Sequence, residues 1–198
     1  MFTGLIEGVG RVRAVDHLAA GLRLDIETSL APDLRPGDSL AVNGVCLTVT
    51  GGDGAIVRAD VGPETARITT LGRARPEQRV NLERPMRADG RFGGHFVQGH
   101  VDGMGRIAAL RPEGDAHWVS VAFPAALAPL LIRKGSVAVD GISLTVAELR
   151  PDQFDVMIVP FTWACTNLPS LGAGDPVNLE CDMIGKYVVR AVQLCRPT

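Results

Sequence analysis

The sequence predicts an all-β chain: two tandem homologous Greek-key β-barrels followed by a C-terminal α-helix. Three observations support this among the 198 residues: an internal repeat, short strand-like segments separated by Gly and Pro, and one helical stripe near the end. Glycine is also frequent, with 23 residues, or about 12% against a usual level of about 7%. Glycine serves positions where the backbone turns sharply or approaches other atoms closely.

The two halves of the chain are related by a repeat. Residues 39–49 (SLAVNGVCLTV) and 136–146 (SVAVDGISLTV) are identical at seven of eleven positions, at an offset of 97 residues. Matched blocks in the same order indicate tandem duplication of a domain of about 95 residues. We therefore expect domains at 1–95 and 96–183. The same offset aligns 63–65 with 160–162 and 80–83 with 177–180, and an offset of 95 aligns Gly4, Gly8 and Gly10 with Gly99, Gly103 and Gly105.

Each copy is predicted to consist of short strands. A turn at 51–54 joins two of them as a hairpin, and short helical turns are expected at 31–34 and 125–132. Many short strands with Gly and Pro breaks favour a small closed or Greek-key barrel. Alternating or β-branched residues mark the strands of the first copy at 5–15, 22–28, 39–49, 55–60 and 79–83.

The end of the chain has a different pattern, which lies outside the duplication. The spacing of its apolar residues predicts an amphipathic helix over 184–198. Its apolar stripe has two alternatives: packing on its own barrel, or packing against the same helix in sister subunits. The stripe consists of Ile184, Tyr187, Val188, Ala191, Val192 and Cys195.

Composition excludes several classes of partner. The formal net charge is −2, which argues against nucleic acid or an anionic membrane, because both require a basic face. We expect no signal peptide and no membrane-spanning segment, since no apolar run reaches the roughly 18 residues needed. The histidines lack helical metal-site spacing, so no metal is predicted. Without a C-x-x-C motif, free thiols in a reducing cytoplasm are expected for Cys46, Cys165, Cys181 and Cys195.

Positions that differ between the copies are the first candidates for function. The halves keep one frame but carry different polar and titratable groups, a pattern that fits two copies of one ligand treated differently. A lone histidine is more often structural, but His100 lies in a glycine-rich segment that permits close approach. Cys46 in a strand is more often a small buried hydrophobe than a nucleophile. The mismatched pairs are Leu5 and His100, Cys46 and Ser143, Thr3 and Gln98, and Gly37 and Lys134.

Several motifs together resemble the riboflavin synthase family of the α-subunit type. The resemblance covers nearly the whole chain, including the duplication and the final helix. The chain departs from the family pattern at Gly62, where Met is common, and at Phe161 and Trp163. The motifs are MFTGLIEG at 1–8, NGVCLTV at 43–49, PET at 63–65, GHFVQGHVD at 94–102, KG at 134–135 and DGISLTV at 140–146.

The resemblance implies a fold, an assembly and a reaction. The fold is two six-stranded barrels with a C-terminal helix, assembled as a homotrimer through those helices. The reaction is dismutation of 6,7-dimethyl-8-ribityllumazine to riboflavin and a ribitylamino-pyrimidinedione, with no external cofactor or metal. The family's active site forms between the first barrel of one subunit and the second barrel of a neighbour. Association with lumazine synthase stays open.

The resemblance also implies site residues. His100 is the candidate base, and Ser39, Cys46 or water is the candidate nucleophile at C7 of the acceptor lumazine. Hydroxyls and Asp182 are expected to satisfy ring amides and the ribityl chain. The first barrel would contribute Phe2, Thr3, Ser39, Cys46, Thr48 and Thr65, and the second His100, Lys134, Ser143, Thr145, Thr162 and Asp182.

Two rival interpretations share this fold. One is a non-catalytic relative of the lumazine proteins, which bind lumazine or flavin as an optical antenna. The other is a duplicated barrel that acts as an interaction module without a small ligand. Both halves retain a polar set, which favours the enzyme over either alternative.

Overall fold

The first repeat folds into a closed six-stranded barrel. The computed structural model describes residues 1–195, and its first sheet closes in the Greek-key order β1-β2-β5-β4-β3-β6. Alternate side chains of β2 and β5 point into the barrel, as expected for strands with one solvated face. The strands are β1 (Gly8–His17), β2 (Leu22–Glu27), β3 (Ser39–Val42), β4 (Val45–Asp53), β5 (Ile56–Val61) and β6 (Arg79–Glu83).

The second repeat has the same strand order, opened within its fourth strand. In the first barrel β4 pairs with both β3 and β5, whereas the corresponding segment is split into β10, which pairs with β9, and β11, which pairs with β12. The sheet order is β10-β9-β13-β7-β8-β12-β11. The strands are β7 (Gly103–Glu113), β8 (Ala116–Ala122), β9 (Ser136–Val139), β10 (Ile142–Thr145), β11 (Glu148–Leu149), β12 (Gln153–Ile158) and β13 (Pro176–Cys181).

The prediction of two Greek-key barrels is confirmed, but several element boundaries were wrong. The predicted strand 39–49 is two strands, because Asn43 and Gly44 adopt the positive φ angles of a tight hairpin turn. The strand predicted over 5–15 begins at Gly8. The turn predicted at 51–54 falls later, because β4 continues to Asp53.

Two short helices were not predicted. Helix α1 (Pro63–Ile68) and helix α2 (Pro160–Ala164) follow the fifth strand of each repeat. Each has proline in its first turn, where the missing N–H costs no helical hydrogen bond. The expected helical turns occur as 3-10 helices at Ala31–Asp33 and Ala125–Leu130.

The predicted C-terminal helix is confirmed as α3 (Met183–Cys195), and residues 196–198 of the prediction lie outside the described part of the chain. None of its residues is buried by residues 1–195. The alternative that the stripe packs on its own barrel is therefore wrong. The uncovered apolar side chains are Ile184, Tyr187, Val188, Val192 and Leu194, each at least 50% exposed. No helix within residues 1–195 is both long and apolar enough to cross a membrane.

The two barrels meet at the tips of equivalent hairpins. Asn43–Gly44 joins β3 to β4, and Asp140–Gly141 joins β9 to β10, with positive φ at all four residues. A Cβ atom on Gly44 would lie 2.6 Å from the Gly141 nitrogen, and one on Gly141 would lie 2.7 Å from the Gly44 nitrogen. The two hairpin backbones thus touch through reciprocal contacts of matched glycines.

This contact predicts a specific cost for Gly44→Ala. The new Cβ would overlap the Gly141 backbone and also hold alanine at positive φ, so we expect a loss of about 3 kcal/mol in the free energy of unfolding. Urea denaturation followed by circular dichroism measures this loss. Gly54→Ala is the control, because Gly54 has φ +59° but no atom within 4 Å of the added Cβ. A loss no larger than that of Gly54→Ala contradicts the role of the backbone contact.

Candidate active site

Each barrel is bordered by a segment that belongs to the other repeat. The Ser143 N–H of the second barrel donates to the Gly4 carbonyl at 2.8 Å, and the Cys46 N–H of the first barrel donates to the Gly99 carbonyl at 2.9 Å. Both glycines have positive φ, and a Cβ on either would lie within 2.6 Å of the facing residue. The start of each repeat therefore crosses to the opposite barrel. We call residues 3–4 and 98–99 the crossing segments.

Two buried glutamates hold these crossing segments. Glu83, at the end of β6, accepts hydrogen bonds from the Thr3 N–H at 2.6 Å, the Thr3 hydroxyl at 2.7 Å and the Gly4 N–H at 2.9 Å. Glu180, at the matched position of β13, accepts from the Gln98 and Gly99 N–H groups at 2.7 and 2.9 Å. Burial raises the pKa of both carboxyls, and the N–H donors oppose that rise.

A buried polar network joins the hairpin tips behind these segments. The Asn81 amide donates to the Asp140 carbonyl at 3.0 Å, and the Asn178 amide donates to the Asn43 carbonyl at 2.8 Å. The Asn167 amide donates to the Asp140 carboxylate at 2.9 Å. Burial raises the pKa of Asp140 to about 6, opposed by the donors from Asn178 and Asn167. The network satisfies polar groups that would otherwise be costly to bury.

The first polar face lies on the outside of β3, β4 and β5. Ser39 is paired with Thr48, which is paired with Asp60 on the next strand. Arg23 donates two hydrogen bonds to the Asp60 carboxylate, at 2.6 and 3.0 Å, and lowers the pKa of that carboxyl. Cys46 is half-buried on the same side of β4. We call Ser39, Cys46, Thr48 and Asp60 the first-barrel face.

The second polar face occupies the matched position on β9, β10 and β12. Ser136 is paired with Thr145, as Ser39 is with Thr48. The position of Asp60 is taken by Met157, which is 51% exposed. We call Ser136, Ser143, Thr145 and Met157 the second-barrel face. The two faces share a hydroxyl pair but differ in charge, and Ser143 replaces the thiol of Cys46.

The crossing reverses the expected barrel assignment of Thr3 and His100 and removes Phe2 from both faces. Thr3 lies in the segment against Ser143, and His100 directly follows Gly99, which lies against Cys46. His100 therefore borders the first-barrel face, where it is exposed. Phe2 is fully buried between the barrels with Ala41, Val97 and Ala138, so its ring lies on neither face.

Three other predicted residues lie on or next to helices. Thr65 and Thr162 lie on α1 and α2, and their carbonyls accept hydrogen bonds from the Thr69 and Thr166 hydroxyls at 2.7 and 2.8 Å. Asp182 precedes α3, and its carboxylate accepts from the Ile184 N–H at 3.0 Å. No group of three or more metal-ligating side chains gathers within residues 1–195.

Lys134 adopts a backbone conformation that is costly for a side chain. Its φ is +67°, and its N–H donates to the Val146 carbonyl at 2.7 Å. The matched Gly37 of the first repeat has φ +97° and makes the equivalent bond to Val49 at 2.8 Å. The second repeat therefore holds a side chain at positive φ where the first repeat uses glycine.

The sequence pattern did not single out His95, or Glu83 and Glu180, which bind the crossing segments. His95 precedes the first matched residue of the second repeat, and its ring nitrogen Nδ1 lies 2.7 Å from the Ser143 hydroxyl oxygen. Glu83 and Glu180 stand in the matched blocks 80–83 and 177–180, so the repeat itself marked them. Their role was hidden because the alternation of a strand does not show which chain ends pack beside it.

Comparison with known proteins agrees with this architecture. The lumazine binding domain family matches residues 3–85 and 98–182. LumP, in solved complexes with 6,7-dimethyl-8-(1'-D-ribityl) lumazine and with riboflavin, shares the fold with TM-scores of 0.84 and 0.86. These likenesses cover 91% of this chain and 99% of LumP at 23% sequence identity.

The curated relatives are more similar in sequence. Riboflavin synthase of Mycobacterium tuberculosis (strain ATCC 25618 / H37Rv) is 45% identical over 201 residues, covering 98% of both chains. Riboflavin synthase of Bacillus subtilis (strain 168) is 42% identical over 191 residues, covering 96% of this chain and 89% of the relative. The two repeats, their crossing segments and this level of identity along the chain place it in one family: the protein belongs to the riboflavin synthases, built from two lumazine-binding domains.

Proposed function

We propose that this protein is a riboflavin synthase. It converts two molecules of 6,7-dimethyl-8-ribityllumazine into one riboflavin and one 5-amino-6-ribitylamino-pyrimidinedione. The observation that carries the proposal is the pair of related but unequal faces, one for each repeat. A dismutation requires the same molecule to be bound twice in different roles, and such a pair of faces suits this requirement.

The reaction balances without a further reactant. One lumazine loses a four-carbon unit and the other gains it, so the bonds broken in the donor are matched by those formed in the acceptor. No external oxidant, reductant or cofactor enters this balance. The protein's task is to hold two rings in register, which supplies much of the rate enhancement through orientation.

We assign the chemistry to the residues at the two faces. His100 moves protons of the acidic C7 methyl group, and Ser39, Cys46 or water adds at C7 of the acceptor. The buried Phe2 and Thr3 hold the crossing segment in place. Polar groups that hold the rings and ribityl chains are Thr48, Thr65, Lys134, Ser143, Thr145, Thr162 and Asp182.

We further propose that the chain assembles as a homotrimer through α3. The apolar stripe of that helix is uncovered by residues 1–195, and burying it between subunits would remove it from water. The first-barrel face of one subunit would then meet the second-barrel face of a neighbour. We place the reaction in the cytoplasm, because the four cysteines are free thiols, as a reducing compartment favours.

A ligand-binding protein like LumP is the second candidate, since LumP shares the fold. The sequence identity favours the enzyme: 42–45% to the riboflavin synthases cited above, against 23% to LumP. The two candidates differ in one observable, the formation of riboflavin from bound ribityllumazine.

Activity is the first test. Incubation with 6,7-dimethyl-8-ribityllumazine should yield riboflavin and the pyrimidinedione in equal amounts, measured by absorbance and chromatography. His100→Ala should lower kcat by about 10²-fold or more, because general base catalysis typically contributes that much. His17→Ala is the matched control, since His17 is exposed at the end of β1 and should leave turnover unchanged. Binding without any riboflavin rejects the enzyme, and unchanged turnover in His100→Ala rejects the base.

Lys134→Gly should separate stability from function. Removing the side chain relieves the left-handed strain, so the free energy of unfolding should rise by about 1 kcal/mol. Loss of the ammonium group should raise KM about tenfold, because hydrogen bonds from charged groups are comparatively strong. Urea denaturation and steady-state kinetics measure the two effects.

Glu77→Gly is the control for this strain. Glu77 has φ +71° where the second repeat has Gly174, and its carboxylate pairs with Arg11 and Arg13 on the surface. The Glu77→Gly variant should leave KM unchanged. An unaltered KM in Lys134→Gly would contradict a role of this lysine in binding the ligand.

Substitution of the stripe should dissociate the trimer. Val188→Asp together with Val192→Asp places two charges on the apolar face of α3, so we expect a monomer at micromolar concentration and a loss of activity with it. Analytical ultracentrifugation gives the mass. Gln193→Asp adds a charge at an exposed polar position of the same helix and should leave the trimer intact. A wild-type monomer in this experiment refutes both the assembly and the shared active site.

A further inference from the structure

His95 is a buried titratable residue that the proposed reaction does not use. It lies on the segment that pairs with the start of the chain, where its N–H donates to the Thr3 carbonyl at 3.1 Å. Hydrogen bonds in both directions between Phe2 and Val97 fix the same segment. The His95 residue is only 7% exposed. Its position is therefore set by backbone pairing and burial together.

The imidazole makes one hydrogen bond, to the second-barrel face. Its Nδ1 lies 2.7 Å from the Ser143 hydroxyl oxygen. The other ring nitrogen, Nε2, is buried and has no hydrogen-bond partner within residues 1–195. A buried histidine most often satisfies both ring nitrogens. Here a single hydrogen bond is made, so the Ser143 hydroxyl is the group that orients the ring.

Burial favours the neutral form of the His95 ring. Burial lowers the pKa of the His95 imidazole below its usual value, and the Asp182 carboxylate opposes this shift. A neutral imidazole carries one proton, so Nδ1 either donates to the hydroxyl or accepts from it. In both cases the hydrogen bond holds the Ser143 hydroxyl oxygen in place, and the remaining hydrogen-bonding capacity of the hydroxyl is left for a ligand.

We propose that His95 is a positioning residue of the second-barrel face, which fixes the Ser143 hydroxyl for a hydrogen bond to the heterocyclic ring of a bound lumazine. This inference rests on the proposed function for the identity of the ligand. Ser143 is half-buried beside Gly4, so one side of its hydroxyl meets His95 while the residue still reaches the surface. The matched residue Cys46 offers a thiol, which is a weak donor, so the two faces would hold the same ring differently.

Kinetics of His95 and Ser143 variants test the coupling. His95→Leu removes the hydrogen bond and should raise KM about tenfold with a smaller change in kcat, as expected for loss of one neutral hydrogen bond that orients a ligand group. His95→Asn places an amide near the Nδ1 position and should restore KM to within about threefold of wild type. Ser143→Ala should match His95→Leu, and the double variant should be no worse than Ser143→Ala alone.

Opposite results overturn the proposal. Multiplicative effects of the two substitutions, or an Asn variant as impaired as the Leu variant, would mean that His95 does not act through Ser143. His17→Leu is the control for loss of a histidine and should leave KM unchanged. If His95→Leu fails to fold, Ser143→Ala and His95→Asn still give the comparison with wild type.

A spectroscopic readout separates this inference from the enzymatic one. Imidazole ¹⁵N resonances of the folded protein can be followed by NMR while riboflavin, the proposed product, is added without turnover. The His95 resonance, assigned by its absence in His95→Asn, should shift in wild type and should not shift in Ser143→Ala. An unshifted His95 resonance at saturating riboflavin overturns the positioning role, whereas failure to form riboflavin in the assay above overturns the proposed function.

Discussion

The structure depends on the exchange of short segments between the two barrels. Glu83 and Glu180 each end a barrel and bind the backbone of a crossing segment, and each segment then accepts a hydrogen bond from the opposite barrel. A buried carboxylate is costly unless it is well satisfied, and here backbone N–H groups supply the donors. Both faces are built on strands that these segments contact, so the glutamates fix their geometry from a distance.

The duplicated frame gives two faces that suit the two lumazines of the proposed reaction. Backbone turns and core positions are matched, which keeps the two faces alike in shape. The side chains pointing outward are free to differ, as the pairs Cys46 and Ser143 or Asp60 and Met157 illustrate. The first face carries an Arg–Asp ion pair, whereas the second has an exposed thioether at that position. Unequal roles for two identical molecules are consistent with this division.

Much of the fold could be predicted because the repeat was visible in the sequence. Strand β6 was predicted with its observed ends, and the stripe from Ile184 predicted α3, since both patterns are local and periodic. The crossing segments were not predictable, because no periodicity shows on which barrel Thr3 or Gly99 will rest. Helices α1 and α2 are too short for a helical period to be read. The contact between His95 and Ser143 had no signal in the sequence either, because these residues are 48 apart in the chain and periodicity does not show which distant segments meet.

The hairpin tips have a consequence for how the two halves of the gene could diverge. Asn43 and Thr70 in the first half correspond to Asp140 and Asn167 in the second, and both differences lie in the buried network. The amide of Asn167 donates to the Asp140 carboxylate and to the Asn43 side-chain oxygen, so the two differences meet at one side chain. A change at these buried positions must therefore preserve shared hydrogen bonds, whereas a change on the solvent-facing strands meets no such constraint.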